Sequence, residues 1–128
     1  MKLKDVIAEI EGKMLCGEEL LSADIETVMA SDMMSDVLRY SKPGSILVTG
    51  NKNVQAVRTV LIAELRGAIL IRNKAPAREI LELAQENGIF IALTGLDMFE
   101  VCGRLYERMK AAPPQTKKED QSGSRAEV

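Results

Sequence analysis

The sequence predicts an α/β domain with a mostly parallel sheet flanked by helices. Between residues 45 and 109, runs of four or five apolar residues alternate with segments whose apolar side chains recur every three or four positions. Short apolar runs are typical of strands buried on both faces, and each is followed by the pattern of an amphipathic helix. The chain has 128 residues, which suits one domain.

The first part of the chain predicts two helices and two strands. The first helix ends at Gly12, and residues 13–16 form a strand that ends at Gly17. Residues 25–30 suit a second strand, after which Ser31 or Asp32 caps the second helix. Residues 42–44 end that helix and turn the chain. The apolar face of the first helix is Leu3, Val6, Ile7 and Ile10, and that of the second is Met33 or Met34, Val37 and Leu38.

The second part predicts three strands, at residues 46–48, 68–71 and 89–93, each followed by a helix. Asn53 caps the first of these helices, Pro76 lies in the first turn of the next, and Asn87-Gly88 ends it. Asp97 and Glu100 form a capping-box pair at the last helix, with Leu96 and Val101 as a hydrophobic staple. The predicted buried positions of the three helices are Val54, Val57, Leu61 and Leu65, then Ile80, Leu83 and Ala84, then Phe99, Cys102, Leu105 and Tyr106.

Composition excludes several functional classes. The sequence contains no His, which removes His-dependent hydrolase triads and His-ligated zinc sites, and no other metal site is expected. A net charge of -2 does not favour nucleic-acid binding. No stretch approaches the roughly 20 apolar residues that span a bilayer, and the start lacks the apolar run of a secretory signal. A cytoplasmic location follows from these two features. Cys16 and Cys102 lack a CxxC spacing, so we expect buried reduced thiols, and a disulfide or a reactive thiol is the alternative.

The composition changes near the end of the chain. From Lys110 onward almost nothing large and apolar is available for burial. We therefore predict a folded domain over residues 1–109 and a disordered, solvated tail over residues 110–128.

Three loops form the candidate ligand site, because ligands of open α/β sheets bind at the carboxyl ends of the strands. They are residues 49–53, 72–74 and 94–97. Gly50 before a helix start offers backbone N–H groups to an anion, although the loop has neither a Walker A nor a GxGxxG spacing. The alternative is a tight turn at Gly50 with a plain cap at Asn53. The candidate ligand-binding residues are Thr49, Gly50, Asn51, Lys52, Asn53, Arg58, Arg72, Asn73, Lys74, Thr94 and Gly95.

The distribution of charge favours an anionic ligand at these loops. Residues 39–78 carry a net charge of +7, whereas residues 1–38 carry -6. A phosphate-bearing ligand fits this basic segment. Alternatively, the basic segment meets the acidic one, within one chain or across a dimer, or its charges are simply solvated. Asp32 and Asp36 share a helix spacing, but a cap and a solvated carboxylate explain them better than a metal or acid–base pair does.

Four segments carry a family resemblance. They are Ala30-Ser-Asp-Met-Met-Ser-Asp-Val37, Lys42-Pro-Gly-Ser-Ile-Leu47, Ile80-Leu-Glu-Leu-Ala-Gln-Glu-Asn-Gly-Ile89 and Met98-Phe-Glu-Val-Cys-Gly-Arg-Leu-Tyr106. Together they resemble a stand-alone DRTGG domain over residues 1–109. The resemblance implies a fold similar to the N-terminal domain of HPr kinase/phosphorylase, and a bacterial-type domain that is regulatory or dimer-forming. Where such domains carry Asp-Arg and Thr-Gly-Gly, this chain has residues 50–53 and 71–74 without either pair.

The sequence therefore predicts a non-catalytic regulatory or sensor domain without a cofactor. In this hypothesis a homodimer binds an anionic metabolite or nucleotide at the strand-end loops and signals through a protein partner. The alternative is a pure protein-interaction or dimerisation module that has no small ligand and assembles with a redox or kinase-like protein. An enzyme would have to work with Asp, Lys, Ser or Cys alone.

Overall fold

A five-stranded sheet forms the centre of the structure, a computed structural model that describes residues 1–111. The strands are β1 (Lys13–Cys16), β2 (Val28–Ala30), β3 (Ile46–Thr49), β4 (Gly67–Leu70) and β5 (Phe90–Leu93). Their order in the sheet is β1-β5-β4-β3-β2. Strands β2 to β5 pair in parallel, and β1 pairs antiparallel with β5. The predicted α/β class with a mostly parallel sheet is confirmed.

Helices cover both faces of the sheet. Helices α1 (Leu3–Glu9) and α5 (Met98–Ala111) pack on one face, and α2 (Met34–Tyr40), α3 (Val54–Ile62) and α4 (Arg78–Glu86) pack on the other. Successive strand residues serve opposite faces, so Ile46 and Val48 pack with α1 and α5 while Leu47 packs with α2 and α3. This arrangement explains why β3, β4 and β5 are apolar without interruption.

A close approach between β4 and β5 requires glycine at position 67. A Cβ atom on Gly67 would lie 2.3 Å from both the ring atom Cδ2 and the carbonyl oxygen of Phe90. Phe90 is completely buried, so its packed neighbours prevent the ring from moving aside. On the sheet face covered by α1 and α5, the Phe90 ring thus occupies the space that a side chain at position 67 would need.

The predicted helix boundaries are close to the observed ones, but the capping details differ. Asp97 Oδ1 accepts the Glu100 N–H at 2.9 Å, whereas the Glu100 carboxylate accepts from Arg104 and does not complete the capping box. Asn53 is the N-cap residue of α3, but its side chain makes no capping hydrogen bond. Pro76 precedes the Ala77 N-cap of α4 and so lies outside the first turn. The N-cap of α2 is Met33, not Ser31 or Asp32.

Four side chains predicted to be buried are exposed. Val54 is 37% exposed, Leu38 is 48% exposed, Tyr106 is 67% exposed and Phe99 is 87% exposed. In α5 the neighbouring stripe that includes Val101 and Leu105 faces the sheet instead. Both stripes are apolar, so periodicity alone could not tell which one is buried.

Helix α5 ends two residues beyond the predicted domain boundary at residue 109, because it includes Lys110 and Ala111. The rest of the predicted tail, residues 112–128, lies outside the residues that the structure describes.

Candidate functional site

Four loops meet at the carboxyl edge of the parallel strands. The three predicted loops follow β3, β4 and β5, as expected from the sequence. A fourth loop, residues 31–33, follows β2 at the same edge and was not predicted as part of the site. It belongs there because β2 pairs in parallel with β3, with Ala30 opposite Val48.

Asp32 joins the fourth loop to the loop after β3. Its Oδ1 atom accepts a hydrogen bond from the Thr49 hydroxyl at 3.0 Å and from the Gly50 N–H at 2.7 Å. Thr49 is completely buried, whereas Asp32 is exposed. The prediction that Asp32 caps α2 is therefore wrong, because its hydrogen-bond partners lie at the end of the neighbouring strand, although the carboxylate is exposed to solvent as predicted. The Gly50 N–H, predicted to be available to an anion, already binds a carboxylate of the protein itself.

The loop after β3 is held by its own polar side chains. The Asn51 N–H donates to Thr49 Oγ1 at 3.1 Å, and the Asn53 N–H donates to Asn51 Oδ1 at 2.9 Å. The Asn51 side-chain amide donates to Gln55 Oε1 at 3.4 Å. These residues shape the start of α3. Among the predicted site residues of this loop, Lys52 is the one with a charged side chain, and it is exposed.

The loop after β4 contains an unusual backbone. Arg72 and Asn73 both adopt left-handed conformations, with φ of 53° and 56°. For a residue such as arginine this conformation costs on the order of 1–3 kcal/mol, and such strained residues cluster at functional sites. Hydrogen bonds to the next loop hold it, since the Arg72 N–H donates to Leu96 O at 2.9 Å and the Asn73 N–H to Thr94 O at 2.8 Å.

Thr94 and Gly95 support this geometry from the loop after β5. The buried Thr94 hydroxyl donates to Ile10 O at 2.7 Å and accepts the Leu96 N–H at 3.1 Å. A Cβ atom on Gly95 would lie 3.1 Å from Asn73 Nδ2, so glycine leaves room for that amide. Of the predicted site residues, these two position the loops rather than offer groups to a ligand.

The basic side chains at this edge remain exposed. Lys52, Arg72 and Lys74 lie on the loops, Arg58 lies further along α3, and within residues 1–111 none of them forms an ion pair. The acidic first segment meets α5 instead, through Glu9 with Arg108 and Glu11 with Arg104. No ion pair joins the acidic and basic segments within residues 1–111, although Asp32 of the first segment accepts hydrogen bonds from Thr49 and Gly50 of the second.

The remaining chemical features of the described residues are their possible metal ligands and their thiols. In the region covered by the structure, no three Cys, Asp or Glu side chains lie close enough together to hold a metal ion. Cys16 and Cys102 are free thiols, the first buried and the second half-buried, and burial raises the pKa of both. No helix among residues 1–111 is long and apolar enough to cross a membrane.

The sequence matches a family model described as the DRTGG domain over residues 5–107. The chain belongs to the DRTGG domain family. The match covers all five strands and confirms the resemblance carried by the four sequence segments. In this DRTGG domain, the segment that begins at Ala30 supplies Asp32, the carboxylate that links two loops of the candidate site.

A solved structure shares the fold. It contains the CBS and DRTGG domains of the regulatory region of Clostridium perfringens pyrophosphatase, complexed with the activator diadenosine tetraphosphate. The TM-score is 0.68 at 19% sequence identity, and the alignment covers 81% of this chain and 45% of that one. The DRTGG domain described here thus spans less than half of the length of that regulatory region. No curated protein matches the chain closely enough to count as a relative.

Proposed function

We propose that this DRTGG domain is a non-catalytic regulatory domain that binds a nucleotide or a phosphorylated metabolite at the carboxyl edge of its sheet. The observation that carries the proposal is that three exposed cations and one carboxylate lie on adjoining loops at the carboxyl edge of the sheet. We call Asp32, Lys52, Arg72 and Lys74 the strand-end cluster. Its members come from three loops that meet only in the folded chain.

The chemistry of the strand-end cluster favours a nucleotide over a bare phosphate ion. Lysine and arginine provide donors and positive charge for phosphate oxygens, and arginine can contact two oxygens at once. Asp32 already accepts from Gly50 and Thr49 through Oδ1, so it would repel an anion placed directly at Gly50. Its second oxygen suits a ligand that also carries hydroxyl donors, as a ribose does.

Two further observations support a regulatory role. The fold is shared with part of a regulatory region that was solved with a nucleotide activator. Arg72 holds a costly left-handed backbone on the loop that would face the ligand. Signalling through a protein partner and a cytoplasmic location are parts of the same proposal, and no cofactor is required.

Calorimetric titration and thermal shift test the proposal. The probes are ATP, diadenosine tetraphosphate and inorganic pyrophosphate, each added at millimolar concentration to the full chain. A ligand present at 100 times its Kd adds about 2.7 kcal/mol to stability, which is easily detected. We expect the nucleotides to bind more tightly than pyrophosphate. If none of the three probes shifts the melting temperature, the ligand proposal is wrong.

A matched pair of double variants locates the site. Lys52→Ala with Arg72→Ala removes two cations of the strand-end cluster and is expected to abolish the shift. Arg39→Ala with Lys42→Ala removes the same charges from the same basic segment, but from the end of α2 and the turn before β3. Equal loss in both double variants would show a general charge effect and would refute the assignment of the site.

A pure interaction module is the second candidate function. It is favoured by the exposed aromatic side chains Phe99 and Tyr106 on α5 and by the apolar groove beside them. In that case the probes above would not bind and the chain would act through a protein contact alone.

A further inference from the structure

The edge strand β2 has one open side. It pairs with β3, and within residues 1–111 no strand lies on its other side. The Thr27 carbonyl and the Ser31 N–H both form hydrogen bonds with β3, at N···O distances of 3.3 Å and 3.1 Å. Backbone groups of successive residues point to opposite sides of a strand, so the N–H and C=O groups of Val28 and Ala30 point away from β3. The open side of β2 therefore offers backbone donors and acceptors to a further strand.

The two edges of the sheet differ in how well they are protected from pairing. The other edge strand, β1, begins with Lys13 and has an irregular register between residues 14 and 16. Lysine and bulges are features that prevent edge strands from pairing with other chains. The residues of β2 are Val, Met and Ala, without a charge, a proline or a break in the register. The edge at β2 can therefore accept a partner that the edge at β1 would reject.

An apolar groove lies beside this open edge, between β2 and α5. Its volume is about 680 Å³. Helix α5 packs over β3 and leaves β2 partly uncovered on this face, so Val28 is half-buried and Ala30 is exposed. We call this space the edge groove, which is lined on the strand side by Val28 and Ala30 and on the helix side by Phe99, Cys102, Gly103 and Tyr106.

The dimensions of the edge groove suit an extended segment with large apolar side chains. Residues 99–109 of α5 span about 15 Å, and an extended chain covers about 3.3 Å per residue, so about five residues fit beside the helix. Phe99 is 87% exposed and Tyr106 is 67% exposed, which gives the groove an aromatic wall. A Cβ atom on Gly103 would meet nothing within 4 Å, so space for an incoming side chain remains between the two rings.

Two occupants from the chain itself suit the edge groove poorly. A second copy that paired its own β2 antiparallel with this strand would bring Val28 and Ala30 to the same face, and these side chains are small for the space. Residues 112–128 follow α5 but contain no Leu, Ile, Met or aromatic residue. A segment of another protein, with large apolar side chains, is favoured over both.

We infer that the edge groove binds an extended segment of a partner protein, which adds a further strand to the sheet beside β2. Backbone hydrogen bonds to Val28 and Ala30 hold the segment, and every second side chain, a large apolar one such as Leu or Phe, enters the groove near Gly103. The proposed function includes a protein partner, and this inference adds where that partner binds and what it presents. Binding at the edge groove does not require the ligand of the strand-end cluster.

A peptide selection tests the inference. The probe is a phage-displayed library of peptides about eight residues long, slightly longer than the groove, with Leu, Ile, Val or Phe at every second position. It is selected on the immobilised full chain without nucleotide. The most enriched peptide is then synthesised, and fluorescence anisotropy is expected to show saturable binding. If no peptide is enriched over the support without protein, the inference is wrong.

N-methylation of the selected peptide tests the backbone pairing on the wild-type protein. Two forms carry methyl groups on alternate amides, one form on each set, and keep the same side chains. Only one set of amides faces β2 in an added strand, so one form is expected to bind at least about tenfold more weakly while the other keeps its affinity. Equal affinities of the two forms would show that no strand pairs with β2 and would overturn the inference.

Two protein variants test the strand side and the helix side of the edge groove. Ala30→Pro removes an N–H on the open side and leaves the hydrogen bonds to β3 in place, so the chain is expected to fold and to bind the peptide at least about fivefold more weakly. Gly103→Leu is expected to melt no lower than wild type, since leucine favours helices and the position has open space. Its side chain fills the groove, so the affinity is expected to fall at least about tenfold.

Gln85→Leu is the control for Gly103→Leu. It places the same side chain at an exposed position of α4, on the opposite face of the sheet, and is expected to bind the peptide like wild type. If Gly103→Leu also binds like wild type, or if Gln85→Leu loses as much affinity, the edge groove is not the binding site.

Competition and sedimentation distinguish the other occupants. If a synthetic peptide with the sequence of residues 112–128 displaces the selected peptide, the groove belongs to this chain itself. If the wild type sediments as a dimer that Ala30→Pro dissociates, the open edge belongs to a second copy. Either result overturns the inference. Lys52→Ala with Arg72→Ala is expected to bind the selected peptide like wild type, so failure of the peptide site and failure of the nucleotide site are separate results.

Discussion

Asp32→Asn is expected to lower the free energy of unfolding by about 1 kcal/mol, because it keeps the acceptor atom and removes its charge. Two hydrogen bonds end on Asp32 Oδ1, from Thr49 at 3.0 Å and from Gly50 at 2.7 Å. A hydrogen bond to a charged group contributes about 1.5–3 kcal/mol and a neutral one about 0.5–1.5 kcal/mol. The Gly50 bond is exposed, so we take the lower end of the difference.

Asp32→Ala removes the acceptor itself and is expected to cost more, about 2–3 kcal/mol. Thr49 is completely buried, so its hydroxyl would lose a partner that water cannot easily replace. With an m value of about 1.3 kcal/mol/M, the urea midpoint falls by about 0.8 M for Asp32→Asn and about 2 M for Asp32→Ala. Circular dichroism during urea titration measures both.

The asparagine variant separates two roles for Asp32. Asparagine and aspartate cap helices about equally well, so a capping role predicts almost no loss for Asp32→Asn. Asp36→Asn is the control, because Asp36 lies in the first turn of α2, the helix that follows Asp32. This variant should change the free energy of unfolding by no more than about 0.3–1 kcal/mol. If Asp32→Asn is as stable as wild type, the carboxylate does not link β2 to β3 as described.

The remaining predictions concern packing and titration. Gly67→Ala is expected to destabilise by about 3 kcal/mol or more, since the new Cβ would lie 2.3 Å from atoms of Phe90; a loss below about 1 kcal/mol in urea titration would show that β4 and β5 can separate at little cost. The hydrogen bond from Lys2 holds the pKa of Asp24 below its ordinary value of 3.8, so this pair contributes its stability above about pH 4 and loses it as the pH falls through the lower folded pKa. Carbon-detected NMR titration of Lys2→Met should show the Asp24 pKa rising toward 3.8, and an unchanged value would contradict this. Burial raises the pKa of the Cys16 thiol, so iodoacetamide at pH 7.5 should label it at least about tenfold more slowly in the folded chain than in urea, and equal rates would show that the thiol is accessible.

Local sequence signals predicted the order of the elements well. The apolar runs at 46–48 and 89–93 and the helix between Ala77 and Asn87 are fixed by short-range features, namely continuous apolar stretches, periodicity and turn residues. The prediction that ligand loops follow the strands required only the geometry of parallel sheets, and the structure brings Lys52, Arg72 and Lys74 to one edge.

Side-chain exposure in α5 was harder to predict. Phe99 and Tyr106 are spaced like core residues and are larger than Val101, yet Val101 faces the sheet. The choice between two apolar stripes depends on how the helix is oriented against β3 and α1. Such long-range packing leaves no unambiguous trace in a window of neighbouring residues.

The sequence by itself determined the α/β class, the succession of strands and helices, the family and the loops in which a ligand site could lie, because each of these depends on local pattern or on a motif. Only the tertiary structure decided that Asp32 holds the Thr49–Gly50 turn, that Arg72 adopts a left-handed backbone and that α5 exposes an apolar stripe. The physical reason is that all three depend on contacts between residues far apart in the chain. Asp32 and Arg72 depend on the pairing of β2 with β3 and of β4 with β5, and the exposed stripe depends on how α5 packs against β3 and α1.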